Sequence, residues 1–232
     1  MDLIWEGLRK ALELLLTLDP EVLRVTRLSL QVSGAATLIS LVIGLGIAVP
    51  VALNEFPGKR LVIALLNTGM GLPPVVAGLF VTVLLWRSGP LGFLEILYTP
   101  SAMILAQAVI ASPIIAGISL SALQHLPPGL RLQILALGAS RPQMVWLLLK
   151  EARLPLLAAV MAGFGGVISE VGASIMVGGN IKGQTRVLTT ATVMETGRGN
   201  FEVAFALSII LLILAFSVNA VLTHVQQRDR PR

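Results

Sequence analysis

Few side chains in this sequence could carry chemistry, and their spacing excludes most of it. Cysteine is absent, so disulfides and thiolate metal sites are excluded and the redox compartment stays unread. The sole Gly-Lys pair, Gly58-Lys59, has Leu53 where a phosphate-binding loop needs its first glycine and Arg60 where it needs Ser or Thr. His125 and His224 stand at the ends of apolar segments, as interfacial residues or as metal ligands. A proton relay through a membrane needs several embedded acids, and the apolar segments hold one clear candidate, Glu170. No nucleophile–base pair or protease signature is present. The sequence therefore offers no catalytic residue and no metal site, and any energy source must lie outside the chain.

The most specific polar feature is residues 124–155, which carry Arg131, Arg141, Lys150, Glu151 and Arg153 around Gly138. An apolar helix-prone run precedes Gly138. Ala139, Ser140, Arg141 and Pro142 then open a second such run. Glycine supplies a turn and proline suits the first turn of a helix, so the pattern predicts helix–turn–helix. A short helix held parallel to a membrane fits a groove on another protein.

The rest of the chain must hold that unit in place. Apolar residues make up 55% and charged residues 12%, with a mean hydropathy of +0.87. Soluble domains carry about a quarter charged residues, so this is an integral membrane protein. Its 232 residues suffice for five or six spans at about 20 residues each, and the expected class is an all-α membrane bundle of one domain, 1–232. The net charge of +5 and the pI near 10.4 fit anionic headgroups, because no basic block suggests nucleic acid.

Residues 1–20 alternate charge and leucine at helical spacing, which predicts an interfacial amphipathic helix ended by Pro20, and not a cleaved leader. Spans follow at about 28–53, 61–86, 102–123, 156–177 and 201–223, and a short basic tail closes the chain. The first is rich in small residues that permit close helix contact. The second contains Gly69, Gly71, Pro73, Pro74 and Gly78, so it is either unwound beside a pathway or simply kinked. Residues 87–101 and 178–200 read as polar loops. Five spans put the termini on opposite sides, but basic residues divide almost evenly between the two faces, so the positive-inside rule gives no orientation.

Leu137-Gly138-Ala139-Ser140 and the following helix resemble the cytoplasmic coupling loop of ABC importer permeases. That family's pattern is E-A-A-x-x-x-G followed by I-x-L-P. Here Leu132, Gln133 and Ile134 stand at the E-A-A positions, and Leu154-Pro155 comes one helical turn later than the usual L-P. The run from Leu72 to Gly78, Gly89-Pro90-Leu91-Gly92, Ser169 to Ala173 and Gly179 to Thr185 resemble segments of molybdate and sulfate permeases. As a whole the chain looks closest to the tungstate type.

The resemblance implies a type I importer permease with five transmembrane helices, an N-terminal interfacial helix and a coupling loop at 124–155. It implies a multi-pass protein of the cell membrane, its N-terminus outside and its C-terminus cytoplasmic. The expected partners are a second copy, two ATP-binding cassette subunits that bind ATP and Mg, an extracytoplasmic oxyanion-binding protein and membrane lipid. The cargo would be tungstate, with molybdate or sulfate as alternatives. An ion-coupled secondary transporter is the alternative class.

Leu137, Gly138, Ala139, Ser140 and Arg141 are then the expected ATPase contacts. Gly71, Pro73, Pro74, Ser169, Glu170, Ser174 and Asn180 are the expected pathway residues. Glu170 lies about 22 Å beyond Pro155 at ~1.5 Å per residue, where it would pair with an arginine or backbone donors, or gate. Lys182, Arg186 and Arg198 would help receive the loaded partner or remain solvated loop charges.

Overall fold

A computed structural model describes residues 2–17 and 19–228 and is all-helical across them. The basic tail beyond 228, and the side chains of Leu3 and Ile4 on the first expected helix, lie outside the described set.

Helix α1 (Asp2–Leu16) runs along the final helix, α11 (Phe201–Arg228). Its buried face is not the leucine stripe but Gly7 and Ala11. A Cβ on Gly7 would lie 2.5 Å from that of Phe205, so glycine allows the close approach. Trp5, Leu12 and Leu16 stay exposed, which suits a helix in the headgroup plane.

Pro20 closes one helix by opening the next. Asp19 caps α2 (Pro20–Leu53), accepting the Glu21 and Val22 N–H groups at 2.9 and 3.0 Å, with Pro20 at the first helical position. The helix thus starts well before the apolar run expected at 28, because a cap and not hydropathy sets its origin. Its 34 residues rise about 50 Å, more than the ~30 Å hydrocarbon core, so charged turns extend past one face.

The second span is broken as its prolines predict. Helices α3 (Lys59–Met70) and α4 (Pro74–Leu85) meet at 104° across Gly71, Leu72 and Pro73. The central helix, α5 (Pro100–Gln124), packs against α2, α3 and α4 and also against α8 (Arg153–Ile168) and α9 (Gly172–Gly178). Small residues make this possible: Ala102, Ala106, Ala111 and Ala116 are fully buried, and a Cβ on Gly44 would come within 3.0 Å of the Ala116 nitrogen. Between α8 and α9 the axis bends by 61°. Among the described residues, helices α2, α5 and α11 are each long and apolar enough to cross a membrane, and counting each bent pair as one span gives five.

One expected loop is a helix. Within residues 178–200, Leu188–Gly197 forms α10 and packs on α11. Threonine-rich sequence reads as polar loop, yet here the hydroxyls are satisfied internally. Thr192 and Thr196 donate to the carbonyls of Leu188 and Thr192 at 2.9 and 2.8 Å, leaving Leu188, Thr190 and Ala191 free to be buried.

Candidate functional site

The polar interlude folds as the glycine and proline pattern predicts, into α6 (Leu130–Ala136) and α7 (Arg141–Glu151). Gly138 has φ +86°, a left-handed conformation that favours glycine. Ser140 then starts α7: its N–H and hydroxyl both donate to the Gln143 side-chain oxygen, at 2.8 and 3.0 Å. Ile134, Met144 and Leu148 bury their side chains against Ala48 and Val51 of α2 and Leu120 and Leu123 of α5. The Arg131 guanidinium donates to the Leu53 carbonyl at the end of α2, where a cation is favoured by the helix dipole.

Opposite this packed side, Leu137 is 88% exposed and Trp146 69% exposed, with Gly138, Ser140 and Arg141 also open and Ala139 half-buried. An apolar tip on a rigid two-helix unit, joined to the ends of two spans, can receive a displacement and pass it into the bundle.

The two broken spans meet. A Cβ on Gly172 would lie 2.7 Å from Val75 Cγ2, and one on Gly78 2.6 Å from the Ala173 Cα. The start of α4 is therefore pressed against the start of α9. This brings Gly71, Pro73 and Pro74 to the same region as Ser169 and Glu170. Gly71, Pro73 and Ser169 are exposed on the single chain, whereas Glu170 is 8% exposed.

Glu170 makes a local backbone bond: Oε1 accepts the Ala173 N–H at 2.9 Å in the first turn of α9. Its own carbonyl accepts from Thr189 of α10 at 3.0 Å. The side chain satisfies a free N–H in the first turn of α9. The residue thus braces the break. The Ser169 hydroxyl donates back to the Gly165 carbonyl at 2.8 Å.

Other expected residues lie apart. Ser174 is fully buried and accepts from Gln107 Nε2 at 3.2 Å, inside the protomer between α9 and α5. Sequence reasoning had passed over Gln107; a lone amide within an apolar span was the available signal. Asn180 sits past the end of α9 with φ +51°, and its amide donates to the Thr190 carbonyl at 3.4 Å. Lys182 and Arg186 converge on Glu21 at 2.6 and 3.4 Å, and Arg198 pairs with Glu195 at 3.1 Å. Each has an acidic neighbour, with Lys182 and Arg198 mostly exposed and Arg186 mostly covered.

The family described as the binding-protein-dependent transport system inner membrane component matches residues 40–230. A probable anion ABC transporter permease protein from Haloferax volcanii is 43% identical over 90% of this chain and 92% of its own length. A tungstate uptake system permease protein from Peptoclostridium acidaminophilum is 39% identical over 98% of this chain and all of its own length. Among solved structures, an inward-facing methionine ABC transporter aligns with a TM-score of 0.74 at 22% identity, over 91% of this chain and 97% of that one, which establishes a shared fold. With its bent spans, central α5 and projecting α6–α7 unit, the chain belongs to the binding-protein-dependent transport system inner membrane components.

Proposed function

We propose that two copies of this chain form the pathway of an ATP-driven importer for a tetrahedral oxyanion, and that the oxyanion is tungstate. The observation that carries this is the exposed Leu137–Arg141 turn on a unit locked to the ends of α2 and α5. Likeness to the tungstate permease over nearly the whole chain supports the cargo. Residues 1–232 act as one permease domain.

In this reading two ATP-binding cassette subunits hold ATP and Mg and grip Leu137, Gly138, Ala139, Ser140 and Arg141 from the cytoplasm. The N-terminus then lies outside and the C-terminus inside. Closure of the ATPases draws the two α6–α7 units together, and the ends of α2 and α5 carry the movement into the bundle. An extracytoplasmic binding protein delivers the anion to the outward-open pore, and hydrolysis resets it.

Gly71, Pro73, Pro74 and Ser169 line the path at the meeting of the two breaks. Glu170 and Ser174 shape it from behind, and Asn180 holds the loop at its outer end. Broken backbone offers donors without a fixed cation, so the anion is stabilised but not trapped, as conduction requires. Molybdate or sulfate would travel by the same route.

The test is cellular tungsten, molybdenum and sulfur uptake at limiting supply, with and without the gene. Loss of tungsten alone supports the reading in full. Equal loss of molybdenum widens the cargo, and no change in any of the three removes it.

A further inference from the structure

We propose that the cleft between the start of α2 and the loop joining α9 to α10 is a binding site for a tetrahedral oxyanion group, separate from the pathway. The cleft, about 240 Å³, is lined by Glu21, Arg24, Lys182, Gln184 and Arg186, together with the apolar Val25 and Leu28. Three cations thus surround one carboxylate, which leaves the cleft with net positive charge.

The satisfaction of these groups is incomplete. Lys182 holds Glu21 closely, at 2.6 Å, but Arg186 reaches it only at 3.4 Å through Nη1. The Arg186 side chain is 13% exposed, and its Nε–H is buried without an acceptor. A guanidinium donor left unmade in a sequestered position costs free energy, which a turn of the side chain toward an anion in the cleft would relieve, because the Nε–Nη edge of arginine matches two oxygens of a tetrahedral anion.

Arg24 comes from the opposite wall. Its Nη1 would lie 3.1 Å from a Cβ on Gly183, whose φ is +77°. Glycine at that position lets the second guanidinium lie against the loop. Thr185 fixes the loop from beneath: it is fully buried, and its hydroxyl accepts the Ile181 N–H at 3.0 Å and donates to the Gly178 carbonyl. The loop that carries Lys182 and Arg186 is therefore held in place, and Glu21 stands where an anion would compete.

The shared chemistry is a phosphate-like oxyanion, supplied either by a phospholipid headgroup or by a free anion such as tungstate. Binding is read at equilibrium without ATP, so failure here is separable from failure of the pathway or of the coupling surface.

The experiment uses the full chain in nanodiscs of neutral phosphatidylcholine, titrated calorimetrically with sodium tungstate, and in parallel with phosphatidylglycerol added to the disc. Retained lipid is identified by native mass spectrometry. Arg186→Gln should weaken binding by about tenfold or more, the scale of a lost charged hydrogen bond. Glu21→Gln should strengthen it by removing the competitor. A merely structural ion-pair cluster predicts no gain from Glu21→Gln.

Tungstate binding in neutral discs that Arg186→Gln weakens and Glu21→Gln strengthens identifies the free anion. Phosphatidylglycerol retention that Arg186→Gln abolishes and Glu21→Gln enhances identifies the headgroup. Absence of both, or equal weakening by both variants, overturns the site.

Discussion

Replacing Gly138 tests the coupling role proposed for the α6–α7 unit with little collateral damage. At φ +86°, an L side chain carries a backbone penalty of about 1–2 kcal/mol, and asparagine a smaller one. No atom lies within 4 Å of the Cβ position, so neighbouring packing adds nothing in the isolated chain. A penalty of this size shifts the balance between the native turn and its alternatives by roughly tenfold, too little to unfold the bundle. Gly138→Leu is therefore expected to reach the membrane at normal levels while anion uptake per ATP hydrolysed falls by roughly tenfold. Gly138→Asn should keep most of it. The assay is the ratio of transported anion to released phosphate in vesicles, normalised to permease content. Wild-type coupling in Gly138→Leu, or equal loss in Gly138→Asn, would refute the reasoning, the second because bulk and not backbone would then be responsible.

Glu170→Gln preserves an acceptor for the Ala173 N–H and should leave thermal stability nearly unchanged. Glu170→Ala strands that buried donor and should cost about 1–3 kcal/mol, read as a lower unfolding midpoint in detergent. Gly78→Leu drives a Cβ to 2.6 Å from the Ala173 Cα, a backbone atom that cannot yield; the α4–α9 contact should part, and little folded protein should be recovered. Asp19→Ala removes the cap of α2 and should cost about 1 kcal/mol, measured as faster amide exchange at Glu21 and Val22.

Much of the bundle could be read from hydropathy. The bend between α8 and α9, which no proline marks, could not be read, whereas the bend between α3 and α4 could be read from glycine and proline, because backbone donors are scarce where Pro73 and Pro74 adjoin. The turn at Gly138 was legible for the same local reason. Helix α10 was not, since Thr192 and Thr196 satisfy themselves one turn back and so hide a buried helix inside polar composition. The true start of α2 depends on the Asp19 side chain, which a hydropathy window does not weigh. Two facts about the site required three dimensions. One is that Val75 meets Gly172, so that distant breaks converge; the other is that Ser174 turns inward to Gln107. Likewise Glu21 and Lys182 are far apart in sequence, and only the fold reveals that they pair.

The most direct test of the account is transport in sealed proteoliposomes by this chain purified with the ATPase subunits and the binding protein that the proposed function assigns to it. Internal tungstate should accumulate only when ATP and the loaded binding protein are both supplied, and Gly138→Leu should separate ATP hydrolysis from that accumulation. Uptake driven by an imposed proton gradient without ATP would contradict it.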